Sequence, residues 1–158
     1  MTTRLSDITR CTIRPLGAGQ IHQAFGLLEI SDIPMSLEQW LTYARRHITA
    51  SPSASGIISA QCPRAYIHGL YSYETIECKA EKHMVIDLFI VPNQFGQHIG
   101  ESLIDSAERI ARKYLCSRIS LDFRRVKAAD VIAISPKPLV SLCRGGYSID
   151  SVQLSKKL

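Results

Sequence analysis

The chain has 158 residues, a length typical of one domain and sufficient to bury a hydrophobic core. Apolar residues make up 46% and charged residues 21%, which excludes a disordered protein, and no run of about 18 apolar residues exists to cross a membrane. The formal net charge of +5 comes from dispersed basic residues rather than from a basic arm, which argues against nucleic acid as the partner.

The first ten residues are polar and lack the apolar stretch of a secretory signal, so we expect a cytoplasmic protein. Its cysteines are Cys11, Cys62, Cys78, Cys116 and Cys143. They are odd in number and lack the short spacing of zinc or redox motifs, so we expect reduced thiols. Because His22, His47 and His83 also have no partners at metal-ligand spacing, the sequence predicts no metal site.

Three elements are predicted in the first third of the chain. Residues 11–14 form a short β-rich run that Pro15 stops. Apolar residues at helical spacing predict a helix over 20–30. A second helix is predicted to begin at Ser36, which can form a capping box with Gln39. The apolar stripe of that second helix consists of Leu37, Trp40, Leu41 and Ala44.

Three strands follow, at 56–61, 65–73 and 83–91. Residues 62–64, between the first two, are typical of a hairpin turn. The third strand is a nearly continuous apolar run, which indicates burial on both faces. Asp87 is the only charged residue within that run.

The rest of the chain continues the alternation of helices and strands. An amphipathic helix is predicted over 99–115 and a strand over 118–123. A short helix over 137–144 and a final strand over 148–154 complete the order. A strand-helix-strand crossover joined to antiparallel hairpins predicts an α/β (α+β) fold, with a mixed sheet flanked by helices in one domain, residues 1–158.

The stretch 86–103 joins a buried strand to a helix through a glycine-containing turn. The first amides of a helix lack internal partners and the helix dipole adds positive charge there, so such a turn suits a phosphate. Gly96 permits the tight turn, and Gly100 lets the backbone approach a ligand. The alternative is a purely structural turn in which Gly100 aids helix packing. Neither a P-loop nor a Rossmann fingerprint is present.

Residues 88–92 read Leu-Phe-Ile-Val-Pro, and residues 95–100 read Phe-Gly-Gln-His-Ile-Gly. This pattern resembles motif A of the GNAT N-acetyltransferase superfamily, in which Leu-x-Val-x-Pro precedes Arg/Gln-Gly-x-Gly-Ile-Gly. Less distinctive likenesses extend over nearly the whole chain, at residues 12–15, 69–73, 144–147 and 155–158. The resemblance implies a GNAT-like domain whose mixed, mostly antiparallel sheet has six to seven strands.

The resemblance further implies acetyl-CoA (coenzyme A) as co-substrate and transfer of its acetyl group to a primary amine. The acceptor would be a small molecule or a peptide, and a homodimer is left open. The main chain of the buried strand would pair with the pantetheine arm, and the amides of the following turn would hold the diphosphate. The cofactor-binding residues implied are Phe89, Ile90, Val91, Gly96, Gln97, His98, Ile99, Gly100 and Glu101. The thioester would lie beside Asp87 and Phe89.

Several positions depart from the family pattern. Phe95 replaces Arg or Gln, and His98 replaces a glycine, where it would either donate to the diphosphate or face solvent. Leu142 stands where the family often has a tyrosine acid, and the loop 124–138 replaces a common asparagine. These departures favour the alternative of an inactive acyl-CoA-binding or interaction domain. The basic residues of that loop are Arg124, Arg125 and Lys127. They would contact a ribose phosphate, an acidic acceptor or only solvent.

The candidate catalytic residues are Asp87, Tyr71 and Tyr73. Asp87 would be partly desolvated in its apolar strand and would accept a proton from the amine, unless it lies at an exposed edge or in a structural pair. Tyr71 or Tyr73 would act as an acid or shape the acceptor pocket, or belong to the core. Alternation along the strand predicts that His68 faces away from both tyrosines.

Overall fold

The computed structural model describes residues 11–31, 33–63, 66–92, 97–122, 148–150 and 153–158. The strands are β1 (Thr12–Pro15), β2 (Ser55–Cys62), β3 (Tyr66–Cys78), β4 (Glu81–Ile90), β5 (Arg118–Asp122), β6 (Ser148–Asp150) and β7 (Gln153–Lys157). The α-helices are α1 (Ile21–Ile30), α2 (Leu37–Thr49) and α3 (Gln97–Lys113). In these parts of the chain, no helix is both long and apolar enough to span a bilayer.

The seven strands form one sheet in the order β1-β2-β3-β4-β5-β7-β6. All neighbours are antiparallel except β4 and β5, which are parallel. Parallel neighbours need a crossover connection, and α3 lies in that connection. The predicted α+β fold, with a mixed and mostly antiparallel sheet of six to seven strands, is confirmed.

A hydrophobic core lies on each side of the sheet. Residues of α3 that pack into the first core are Ile99, Leu103, Ala107 and Ala111. Residues of α1 and α2 in the second core are Ile21, Ala24, Leu27, Leu28, Trp40 and Ala44. The indole Nε1 of Trp40 donates to the carbonyl oxygen of Ile21 at 2.7 Å, which fixes α2 against α1. Both faces of β4 are therefore covered, as its apolar sequence predicted.

The capping box at the start of α2 is confirmed. Gln39 N donates to Ser36 Oγ at 3.2 Å, and Ser36 N donates to Gln39 Oε1 at 2.8 Å. The predicted apolar stripe of this helix is wrong at Leu37, whose side chain is exposed. The buried face runs instead through Trp40, Ala44 and His47, at i, i+4 and i+7.

The hairpin between β3 and β4 extends beyond its predicted limits. β3 continues to Cys78 instead of ending at residue 73. The two turn residues, Lys79 and Ala80, have φ angles of 51° and 67°. Such tight turns usually contain glycine or asparagine, so this turn carries no sequence signal.

The prediction of a single final strand over 148–154 is wrong. This segment belongs to two antiparallel strands, with Ser148 opposite Ser155 and Asp150 opposite Gln153. The two strands are so short and so close in sequence that hydrophobic periodicity does not separate them. The predicted helix over 137–144 and the loop 124–138 lie outside the described residues.

The prediction that all cysteines are reduced thiols is wrong for Cys11 and Cys62, which form a disulfide. Antiparallel pairing of β1 with β2 places Thr12 opposite Gln61, so the residues flanking this pair meet across the strands. The two cysteines are 51 residues apart in the sequence, and spacing alone therefore gave no hint of the bond. Among the described residues, Cys78 and Cys116 are free.

Gly56 of β2 lies directly against a tyrosine ring. A Cβ atom at Gly56 would be 2.8 Å from Cε1 of Tyr73, a side chain that is 2% exposed. The ring cannot easily move aside, because its hydroxyl donates to Pro52 O at 2.6 Å. We therefore expect Gly56→Ala to lower the free energy of unfolding by about 1–3 kcal/mol, measured by urea denaturation.

A matched control exists in α1, where a Cβ at Gly26 would meet no atom within 4 Å. Gly26→Ala should raise the free energy of unfolding by up to about 1 kcal/mol, because alanine is the better helix former. Stability of Gly56→Ala equal to that of the wild type would contradict the close approach of the Tyr73 ring.

Candidate active site

β4 extends beyond its pairing with β5. The parallel pairing runs from His83 with Arg118 to Ile86 with Leu121. β4 then continues to Ile90, and within the described part of β5 no pair involves residues 88–90. In the described residues, the pairing of β4 with β5 thus ends just before the predicted pantetheine-binding residues.

β4 contains a bulge at Asp87. Leu88 lies opposite Ser72 of β3, and Ile86 lies opposite Tyr73, so Asp87 has no opposite residue in β3. A bulge of this kind bends a strand, increases its twist and redirects side chains. It lies where the pairing of β4 with β5 ends.

The bulge also exchanges the two faces of β4. Before it, Met84 and Ile86 belong to the core on the α3 side. After it, Leu88 and Ile90 belong to the core on the side of α1 and α2. Strict alternation would keep all four on one face, so the extra residue explains the exchange.

The side chains at the end of β4 are turned into the protein. Phe89, Ile90 and Val91 are at most 6% exposed. These residues therefore belong to the core. The pairing of their main chain with pantetheine stays a prediction.

The predicted diphosphate-binding residues lie at the start of α3, and Gly96 is outside the described residues. The helix begins at Gln97. In its first turns, His98 and Glu101 are exposed, whereas Ile99 is buried in the core. A Cβ at Gly100 would meet no atom within 4 Å. Among the described residues, the space beside Gly100 is therefore open, and the phosphate-binding role of this glycine stays a prediction.

Asp87 takes part in a hydrogen-bond chain that links three elements. Ser72 Oγ of β3 donates to Asp87 Oδ1 at 2.8 Å, and Tyr43 Oη of α2 lies 2.5 Å from Ser72 Oγ. Because the single hydroxyl proton of Ser72 points to the carboxylate, Tyr43 must donate to Ser72. The chain therefore directs two hydroxyl protons toward Asp87.

Tyr43 is held in its protonated form. Burial raises the pKa of the Tyr43 phenol well above its usual value, and the charge of Asp87 raises it further. Its ring also packs against the imidazole of His47 in a tilted arrangement, with 4.3 Å between centroids. His47 Nδ1 lies 3.0 Å from the carbonyl oxygen of Tyr43, one helical turn earlier, which holds the imidazole beside the phenol ring.

Tyr71 and Tyr73 lie apart from this chain. Both are in the core on the α3 side, whereas the intervening Ser72 bonds to Asp87 on the α2 side. The Tyr71 hydroxyl lies 3.1 Å from Ser106 Oγ, and burial raises the pKa of Tyr71 above its usual value. Burial also raises the pKa of Tyr73 to about 12. The sheet thus separates the predicted acids from the predicted base.

Alternation predicted that His68 faces away from Tyr71, and this prediction is wrong. His68 lies at a second bulge, because Gly69 is opposite Ala60 and Ile67 is opposite Gln61. Its Nδ1 is 3.0 Å from the sulfur of Cys62, on the side where Cys11 packs against the core containing Tyr71. Burial lowers the pKa of the His68 imidazole.

Tyr43 and Ser72 were not among the residues predicted from the sequence. Tyr43 lies three residues after Trp40 and four before His47, so the buried face of α2 was the available signal. Ser72 alternates with two core tyrosines, which places it on the other face of β3. Only the packing of α2 on the sheet brings the two hydroxyls together.

Comparison with solved structures identifies the fold. The GNAT domain of S. lividans PAT superposes with a TM-score of 0.70 at 14% identity, over 94% of this chain and 90% of that chain. Glucosamine-6-phosphate N-acetyltransferase from Arabidopsis thaliana gives 0.67 at 16% identity, over 94% and 98%. No protein-family model and no curated protein matches the sequence.

A third similar structure is the GCN5-related glucosamine N-acetyltransferase region of a fungal multi-domain GH3 β-N-acetylglucosaminidase. Its TM-score is 0.69 at 16% identity, and the match covers 89% of this chain but only 17% of that protein. Identities this low establish the fold alone. The chain has the GNAT fold, as its motif A resemblance implied.

Proposed function

We propose that this protein is a cytoplasmic N-acyltransferase that transfers an acetyl group from acetyl-CoA to a primary amine. The observation that carries the proposal is the position of Asp87. Its carboxylate belongs to the bulge that directly follows the last described pair of β4 with β5, and it accepts a hydrogen bond from Ser72. A proton acceptor therefore lies beside the strand edge proposed to bind the co-substrate.

The residues fit the co-substrate in two respects. The main chain of residues 88–90 offers an edge for the amide groups of pantetheine. The start of α3, with open space at Gly100, offers helix amides to a diphosphate. In the proposal, His98 and Glu101 flank this anion site as exposed residues of the first helical turn.

Acetyl-CoA supplies a thioester whose carbonyl carbon is attacked by the amine. Asp87 takes the proton of the ammonium group, directly or through a water molecule, to generate the nucleophile. The C–N bond then forms as the C–S bond breaks, coenzyme A leaves as a thiolate, and the second proton released by the nitrogen passes through water to that thiolate. Tyr43 and Ser72 hold the carboxylate oriented toward the opening throughout the reaction.

A second candidate is a non-catalytic acyl-CoA-binding or interaction domain. The observation that favours it is the burial of Tyr71 and Tyr73, which are 0% and 2% exposed. Neither hydroxyl can reach a leaving thiolate on the other face of the sheet, and Leu142 replaces the usual tyrosine acid. The transferase proposal thus depends on a thiolate leaving without a protein acid.

Two measurements test the proposal. Isothermal titration calorimetry with coenzyme A should show one site per chain. Thiol release from acetyl-CoA, followed with a chromogenic disulfide, should require an amine from a panel of polyamines, amino acids, peptides, aminoglycosides, glucosamine and glucosamine 6-phosphate. Binding without turnover on any acceptor favours the non-catalytic domain, and absence of binding contradicts both candidates.

A further inference from the structure

Three side chains of types that can bind metals, two cysteines and one histidine, meet near the β1 edge of the sheet. Cys11 precedes β1, Cys62 ends β2, and His68 belongs to β3. Their ligand atoms all lie within 4.8 Å of one another. We call this group the thiol–imidazole cluster, and it is the one such metal-capable group found among the described residues.

The backbone is built to bring these side chains together. Antiparallel pairing of β1 with β2 sets the two cysteines opposite each other, with 4.0 Å between their Cα atoms. The bulge at His68 then turns the imidazole toward them. Its Nδ1 lies 3.0 Å from the sulfur of Cys62 and 3.9 Å from that of Cys11.

We propose that, once its disulfide is reduced, the thiol–imidazole cluster binds one Zn²⁺ through Cys11 Sγ, Cys62 Sγ and His68 Nδ1. Zinc–sulfur bonds of about 2.3 Å and zinc–nitrogen bonds of about 2.0 Å in a tetrahedron place sulfur and nitrogen about 3.5 Å apart. The two observed distances lie on either side of this value. Water would complete the tetrahedron.

For the metal to enter, the two sulfur atoms have to separate to about 3.8 Å, and the distance from Cys62 Sγ to His68 Nδ1 has to lengthen from 3.0 Å to about 3.5 Å. Cys11 precedes the edge strand and is partly exposed, so rotation of its side chain supplies most of the sulfur movement, and the buried Cys62 and His68 adjust by about 0.5 Å. Partial exposure also gives the ion and its water ligand access from solvent.

The ligand set selects the class of metal. Two thiolates and one imidazole suit zinc and other soft or borderline ions, whereas Ca²⁺ and Mg²⁺ require oxygen ligands. The inference goes beyond acyl transfer and does not depend on it. It replaces the sequence-based expectation of no metal, which rested on spacing along the chain.

Zinc binding and the disulfide exclude each other, so the site responds to redox conditions. In the oxidising step, the two zinc-bound thiolates give two electrons to a small-molecule disulfide, whose S–S bond breaks. The Cys11–Cys62 bond forms, Zn²⁺ is released, and two protons from solvent complete the two small thiols. In a reducing compartment the dithiol is favoured, and the site is available to metal.

The test is titration of the full chain with Co²⁺ under anaerobic conditions, after reduction and removal of the reductant. We expect one Co²⁺ per chain, with thiolate-to-cobalt charge-transfer absorption and the intense visible bands of tetrahedral coordination. Added Zn²⁺ should abolish these bands. The oxidised wild-type protein, in which the disulfide is intact, is a control without any substitution and should show no cobalt absorption bands.

Substitutions locate the site. Cys62→Ser and His68→Asn should each weaken Co²⁺ binding more than about tenfold, with circular dichroism confirming that the variants fold. Replacement of Cys78, Cys116 and Cys143 together by alanine is the matched control and should leave the bands unchanged. Absence of the bands in reduced wild type, or their persistence in Cys62→Ser, would overturn the proposal.

Discussion

Gly100→Asp is expected to weaken coenzyme A binding at least a hundredfold, measured by isothermal titration calorimetry. The new carboxylate would project from the first turn of α3 into the space that the proposal assigns to the diphosphate. Two like charges about 4 Å apart near a protein surface repel by about 4 kcal/mol. Each 1.4 kcal/mol changes the affinity about tenfold, so repulsion alone accounts for the loss.

The same substitution should leave the fold intact. A Cβ at Gly100 meets no atom within 4 Å, and a negative charge near a helix N-terminus is favourable. Gly100→Ala is the matched control, because it adds the Cβ without the charge and should reduce affinity far less. Coenzyme A affinity unchanged in Gly100→Asp, with unchanged thermal stability, would show that the diphosphate binds elsewhere.

The sequence predicted the fold well where local pattern and tertiary environment agree. The apolar run of β4 was recognisable because a central strand with both faces covered contains few polar residues. The capping box at Ser36 and the amphipathic pattern of α3 are local signals that packing did not override. Motif A combined these elements and therefore identified the fold.

The parts that the sequence did not predict depend on pairing between distant segments. The meeting of Cys11 with Cys62 depends on the register of β1 against β2, and the position of His68 depends on a bulge in β3. Neither register shifts nor bulges leave a reliable mark in residue periodicity. Tyr43 reaches Asp87 through Ser72 only because α2 packs on the opposite side of the sheet from α3.

Asp87→Asn is expected to lower kcat by about a hundredfold to ten-thousandfold, the usual contribution of a general base. Coenzyme A affinity should change less than twofold, because the proposed cofactor contacts are main-chain groups of β4 and α3. Asparagine has nearly the same shape, and its amide oxygen can still accept the hydrogen bond from Ser72. The measurement is steady-state thiol release with the acceptor that the amine panel identifies.

Two neighbouring substitutions separate a chemical role of Asp87 from a structural one. Ser72→Ala removes the donor that orients the carboxylate, and Tyr43→Phe removes the hydroxyl behind it. Each should reduce kcat by about tenfold while leaving coenzyme A affinity unchanged. If Asp87→Asn kept full activity while Ser72→Ala lost it, the network would serve the packing of α2 on β3. The proton would then have to leave the amine by a route without Asp87.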